Sequence, residues 1–268
     1  MKNIVVPTDF SANANNALQY AIHMANKFES KIHLINTYEV RTSTGTFVSM
    51  RDFMKKDAEE GLSKLVKENK NRILRSTSMK ATAIEGYTMT TIVKYANSVK
   101  ADLIIMGTQG ASGLKEFFMG SNTAGVINKS TIPVLAIPAN ATYRDIKKIA
   151  FAVDSLIVNT GDIIRPLVQL SKEYNAKVEV IHVEKQKQMA VVDAGIDVYL
   201  SEIDHSFQLI QDNSVINGIN KHVEQTNPNI LCMIHRQRSP LANLFHSSIT
   251  NKEAYNSPVP LLVLHDPL

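Results

Sequence analysis

The stretch Asp102-Leu103-Ile104-Ile105-Met106-Gly107-Thr108-Gln109-Gly110, continued nine residues later by Gly120-Ser121-Asn122-Thr123, decides how this chain is read. Leu103–Met106 is a short unbroken apolar run, the pattern of a strand buried on both faces, and Gly107 ends it. Thr123–Lys129 then reads as a helix and Pro133–Ile137 as a second apolar strand. A strand, a glycine-bearing loop, a helix and another strand make a right-handed parallel crossover.

Upstream the same alternation repeats. Asn3–Val6 is apolar and β-branched, and Pro7-Thr8-Asp9 breaks it. Ser11 is placed to cap a helix in which Ala14, Ala17, Leu18, Ala21, Ile22, Ala25 and Phe28 recur at helical spacing. Lys31–Asn36 reads as a strand, Arg51–Leu74 as a charged helix, Met79–Ile84 as a strand and Thr90–Val99 as a helix. Strands alternating with helices predict an α/β fold with a mostly parallel sheet covered on both faces.

Downstream the order returns. Asp102–Leu135 aligns without a gap on Asn229–Leu262 at an offset of 127, pairing Met106 with Met233, Phe118 with Phe245, Ser121 with Ser248, Thr123 with Thr250 and Pro133 with Pro260. Ile4 meets Ile149 and Asp9 meets Asp154 at an offset of 145, and Lys31-Ile32 meets Lys177-Val178 at 146. The chain therefore reads as a tandem duplication, with domains expected at 1–140 and 146–268 joined near Ala139–Ile146. That divides a length of 268 residues, which alone leaves one large or two ordinary domains open.

Composition narrows the class. The chain is 44% hydrophobic and 20% charged, which excludes a disordered or fibrous protein. A net charge of +4 argues neither for nucleic acid nor for a membrane surface, although residues 1–140 carry 17 Lys/Arg against 11 Asp/Glu while 141–268 carry 12 against 14. The single Cys232 excludes an internal disulfide and any multi-cysteine metal site. No apolar run has the length of a membrane span, and the first residues lack the layout of a secretion signal, so the expected location is cytoplasmic.

The loop at 107–123 carries the chemistry. Glycines allow positive φ and let a ligand approach the backbone amides. Free N–H groups at a helix start favour an anion, most simply a phosphate, and Ser121 and Thr123 could add hydroxyl donors. The spacing is neither the dinucleotide fingerprint nor a P-loop. Taken alone, the glycines serve equally well as turns and a cap.

Pro7-Thr8-Asp9-Phe10-Ser11, Gly107-x2-Gly110-x9-Gly120-Ser121 and Ile132-Pro133-Val134-Leu135 together resemble the universal stress protein family, twice over along the chain. The glycine pattern is that of the family's ATP-binding branch. The resemblance implies two tandem Rossmann-like domains, each a five-stranded mostly parallel sheet with helices on both faces. It also implies an adenine nucleotide, ATP in the first place, with Pro7, Thr8 and Asp9 on the base and ribose side. Thr37 takes the family's small apolar adenine-lining position with Met106 beside it, and Gly107, Gly110, Gly120, Ser121, Asn122 and Thr123 would cradle ribose and phosphates. Any magnesium would ride on the phosphates, because no carboxylate cluster accompanies the loop. For Asp9 the competing role is a cap on the first helix. The last strands, opened by Pro133 and Pro260, are expected to pair the two domains within one chain.

The second copy departs from the pattern. Gly107 becomes Ile234, Gly110 becomes Gln237, Gly120-Ser121 becomes Ser247-Ser248, and Ala152-Val153 replace Pro7-Thr8 before Asp154. Side chains at the former glycines should crowd out a phosphate, so nucleotide is expected in the first domain only. Other signals have ordinary explanations. Six of the eight histidines, His235 and His246 among them, lie in the second half without metal-ligand spacing; Arg236 and Arg238 read as loop charges and Cys232 as a core thiol. No Ser/His/Asp or Cys/His set is legible, so no catalytic or metal residues are assigned. The leading expectation is an ATP-binding stress-response protein whose occupancy regulates unidentified protein partners; a slow ATPase or phosphotransferase and a non-binding scaffold are the alternatives.

Overall fold

A computed structural model of the chain describes residues 1–40, 47–110, 119–153, 161–184, 195–236 and 258–266. It falls into two compact units that change over between Ala139 and Asn140.

The first unit runs β1 (Asn3–Pro7), α1 (Ala12–Phe28), β2 (Lys31–Tyr38), α2 (Phe47–Asn69), β3 (Ser78–Glu85), α3 (Thr88–Ser98), β4 (Leu103–Gly107), α4 (Ser121–Lys129) and β5 (Val134–Ile137). Its strands lie in the order β3-β2-β1-β4-β5, all parallel. The apolar runs explain the centre: Ile4, Val5, Val6, Ile104 and Ile105 are each 0% exposed, as a strand covered on both faces requires. Helices α1 and α2 cover one face and α3 and α4 the other, which follows from right-handed crossovers that first run outward from β1 and then return past it. Ser11 caps α1 by accepting the Ala14 N–H at 3.2 Å, and the alanines at helical spacing are the buried stripe. On α2, Ala58, Leu62 and Leu65 are buried, while Lys55–Glu59, Lys56–Glu60 and Lys64–Glu68 pair along the solvated side. The order reverses between β1 and β4: the chain leaves β1 toward β2 and comes back on the opposite side.

The second unit runs β6 (Lys148–Val153), α5 (Gly161–Tyr174), β7 (Lys177–Glu184), α6 (Gly195–Leu200), β8 (His205–Gln211), α7 (Val215–Thr226), β9 (Ile230–His235) and β10 (Leu261–His265). Its sheet has the same topology, in the order β10-β9-β6-β7-β8. Even the register repeats. Ile104 pairs with Val134 and Leu231 with Leu261, Ile4 with Leu103 and Ile149 with Ile230, each at the 127 or 145 offset of the sequence. No helix among the described residues is long and apolar enough to cross a membrane.

Candidate functional site

A cleft of about 260 Å³ opens in the first unit at the carboxyl ends of β1, β2 and β4. Open α/β sheets take ligands at this position, where the strand order reverses. All eleven sequence-predicted residues line it: Pro7, Thr8, Asp9, Thr37, Met106, Gly107, Gly110, Gly120, Ser121, Asn122 and Thr123. Residues as far apart as Pro7 and Thr123 thus meet because β1 and β4 are neighbours.

Pro7 closes β1, and Thr8 extends the ladder by donating its N–H to the Ile35 carbonyl at 2.8 Å. The Thr8 hydroxyl accepts the Phe10 N–H at 3.0 Å, and Phe10 takes the left-handed backbone at φ 64°, a strained turn for a bulky residue. Asp9 Oδ1 accepts the Ser11 N–H at 3.0 Å. The helix cap is therefore Ser11, and Asp9 braces the cap rather than replacing it. Asp9 Oδ2 lies beside Gly110, where a Cβ would stand 3.3 Å from it.

At the other rim α4 starts two residues earlier than the sequence predicts, so Ser121, Asn122 and Thr123 are its first turn. The first intrahelical bond runs from the Ala124 N–H to the Gly120 carbonyl at 3.0 Å. The amides of Ser121, Asn122 and Thr123 are thus among the donors that every helix leaves without an internal acceptor. Thr123 departs from its expected use: its hydroxyl donates to the Gly107 carbonyl at 2.7 Å and the residue is 2% exposed. It ties α4 to β4. Ser121 is exposed, and its hydroxyl has no partner among the described residues.

The glycines also need a different explanation. None of Gly107, Gly110 and Gly120 has a positive φ; among the described glycines only Gly86 does. Gly107 is required because a Cβ would sit 2.5 Å from Asn13 Oδ1, and Gly120 because a Cβ would sit 2.8 Å from the Thr108 carbonyl oxygen. The close approach is made by the chain's own atoms. Asn13, Asn36 and Thr88 were not singled out by sequence. Asn36 donates to the Thr8 carbonyl at 2.8 Å, and the Thr37 hydroxyl donates to that of Thr88 at 3.1 Å, closing the β2–α3 end of the cleft. A buried asparagine off the apolar stripe leaves no periodic signal.

At the corresponding end of the second unit, Ile234 stands where Gly107 stands in the first; it is 2% exposed and paired in the β9–β10 ladder. Ala152 and Val153 close β6. Asp154, Gln237, Arg238, His246, Ser247 and Ser248 lie outside the described residues. Arg236 is held by Asp266, Nε to Oδ2 at 3.0 Å, and is an ion pair rather than a loose loop charge. The ring centroids of His235 and His265 are 5.7 Å apart. Cys232 is fully buried, which pushes its thiol well above the usual range. Among the described residues no three His, Cys, Asp or Glu side chains converge on a metal-sized site.

Parallel sheets of order 3-2-1-4-5, with a cleft at the reversal and a helix start on its rim, define a Rossmann-like α/β protein. The chain belongs to the universal stress protein family, whose family model matches residues 1–138. Universal stress protein MJ0531 of Methanocaldococcus jannaschii is 30% identical over 141 residues, spanning 51% of this chain and 81% of that protein. Universal stress protein MJ0577 of the same organism is 34% identical over 156 residues, spanning 51% and 94%. The solved structure of a universal stress protein from Archaeoglobus fulgidus covers 97% of this chain and 95% of its own, with a TM-score of 0.70 at 18% identity, a likeness of fold.

Proposed function

We infer that the first unit binds one adenine nucleotide, ATP in the first place, in the cleft between β1 and β4. The observation that carries this reading is the convergence of an α4 start, whose first amides have no acceptor among the described residues, and the residues of Pro7–Asp9 on a single cleft. Asp9 is the one charged side chain among the described lining residues, so phosphates would be held by amides and hydroxyls, as helix starts hold anions. The cleft is slightly under the roughly 300 Å³ at which small-molecule pockets begin. That size suits a nucleoside inside with its phosphates across the open α4 rim. Thr37, Thr88, Ile92 and Met106 would face the base, and Asp9 the ribose. A magnesium ion would arrive on the phosphates.

The second unit has Ile234 at the Gly107 position and is taken as the copy without nucleotide. A nucleotide that is bound and not consumed acts by favouring one state of a protein over another, so occupancy of the first unit is proposed to regulate contacts with partner proteins in the cytoplasm. Asp9, the one carboxylate among the described lining residues, is assigned to the ribose, so no residue is proposed as a general base for hydrolysis. Thermal melting of the full chain with ATP, AMP and buffer tests binding. A ligand at a hundred times its Kd adds about 2.7 kcal/mol to the state that binds it. The first unit's transition should rise with ATP; coincident melts at millimolar ATP would reject the reading.

A further inference from the structure

The geometry points to Asn13 as the positioning residue of the phosphate-side loop: its side chain fixes which of the loop amides face the cleft. The inference rests on the nucleotide reading above and deepens it.

Asn13 is the second residue of α1 and is 7% exposed. A buried carboxamide must place both its donor and its acceptor. Its Nδ2 donates to the Ile137 carbonyl at 3.0 Å, and its Oδ1 accepts the Gln109 N–H at 2.8 Å. The Ile137 carbonyl also takes the Thr108 N–H at 2.9 Å, just past Gly107–Ile137, the last paired residues of the β4–β5 ladder. One side chain from α1 thus holds the carboxyl ends of both strands. Gly107 completes the fit, since a Cβ there would stand 2.5 Å from Asn13 Oδ1 and 2.7 Å from its Cγ. Neither residue keeps its place if the other is enlarged.

Two more ties act on the same three residues. Thr123 Oγ1 donates to the Gly107 carbonyl at 2.7 Å, and the Gly120 N–H donates to the Thr108 carbonyl at 2.6 Å. Residues 107–109 are therefore pinned on both sides. The Gln109 N–H is turned back into α1 and withheld from any ligand. The next amide, that of Gly110, has no partner among the described residues, and Asp9 Oδ2 is 3.3 Å from where a Gly110 Cβ would stand. An anion held by amides depends on their direction, because a rotated peptide presents a carbonyl oxygen in place of an N–H. Asn13 sets that direction without touching the ligand.

The test compares ATP with adenosine, binding each to the full chain carrying Asn13→Ala, Gly107→Ala or both. Loss of one well-placed hydrogen bond is worth about tenfold, so Asn13→Ala should weaken ATP by about that factor or more and leave adenosine nearly unchanged. Gly107→Ala, which displaces the same side chain without removing it, should do likewise and slow-exchanging amides of β4 should become labile. The double variant should lose less than the two single losses combined, because the carboxamide that Gly107→Ala displaces is gone and only the Asn13 backbone carbon, 3.1 Å from the new methyl, still crowds it. Parallel losses of ATP and adenosine, or additive effects of the two substitutions, would overturn the assignment. If the unaltered chain binds neither ligand, the nucleotide reading fails, while the coupling seen in hydrogen exchange still decides the role of Asn13 in the loop.

Discussion

Replacing Thr123 by valine separates a structural tie from a ligand donor. The residue is 2% exposed, and its hydroxyl donates to the Gly107 carbonyl at 2.7 Å. Valine keeps the volume and deletes the donor, removing one hydrogen bond to a half-buried carbonyl at a cost of about 0.5–1.5 kcal/mol. For a unit of this size that corresponds to a drop of roughly 2–6 °C in melting temperature. Hydrogen exchange reads the effect locally, since α4 starts from this contact and its amides from Ala124 onward should lose protection first. Ser121→Ala is the comparison. Its exposed hydroxyl has no partner among the described residues, so stability should hold within about 0.5 kcal/mol while ATP affinity falls several-fold. Wild-type stability in Thr123→Val, or an equal loss in Ser121→Ala, would refute the division of labour between the two hydroxyls.

Further outcomes follow from the packing and from two histidines. Gly120→Ala should destabilise the first unit by about 1–3 kcal/mol, because its Cβ would meet the Thr108 carbonyl oxygen at 2.8 Å; an unchanged urea midpoint would contradict this. Burial, reinforced by Lys31 and Lys80, holds His33 below the usual imidazole range. The unfolded chain then takes up the proton first, so the first unit should be fully stable above about pH 6.5 and weaken as the pH falls below it. His33→Gln should flatten that dependence in urea titrations at several pH values. His205 behaves in the opposite sense: burial would lower its pKa, but the Ile203 carbonyl and the Asp197 carboxylate raise it overall. Its contribution to the second unit is complete below about pH 6.5 and fades as the pH rises through the raised value. Asp197→Asn should remove most of this pH dependence, and a profile identical to wild type would contradict the assignment.

The fold was legible because parallel strands buried on both faces write themselves as short apolar runs. Ile104–Met106 and Leu231–Met233 carry that signal in both copies, and the paired registers reproduce the sequence offset. Polar clusters did not show through, because the copies keep their positions and exchange their chemistry. In the first unit His33 is bonded to Tyr95 and Asn3, both at 3.2 Å. In the second the matching residues are Glu179, His222 and Lys148, with Glu179 Oε2 at 3.0 Å from the imidazole and 3.1 Å from the ammonium. Burial alone would raise the Glu179 pKa, and the hydrogen bond and charge of Lys148, with the hydrogen-bonded His222 ring beside it, bring it below its usual value. A neutral network and an ionic one fill the same place, so identity of residues cannot reveal it.

The sequence marked residues that line one cleft, but not what packs against its glycines. Glycine spacing marks where backbones come close, but it does not say what approaches them. At Gly107 the neighbour is Asn13 and at Gly120 it is the Thr108 carbonyl, both within the chain. Asn13 itself sits among the polar residues that open α1, where nothing in the spacing separates a buried clamp from a solvated side chain.

Titration calorimetry of the full chain with ATP tests the central claim most directly. One ATP per chain, bound with a Kd below millimolar and weakened by Ser121→Ala, is the predicted result. Two equivalents per chain would contradict the assignment of the second unit, and no heat of binding up to millimolar ATP would contradict the nucleotide site itself.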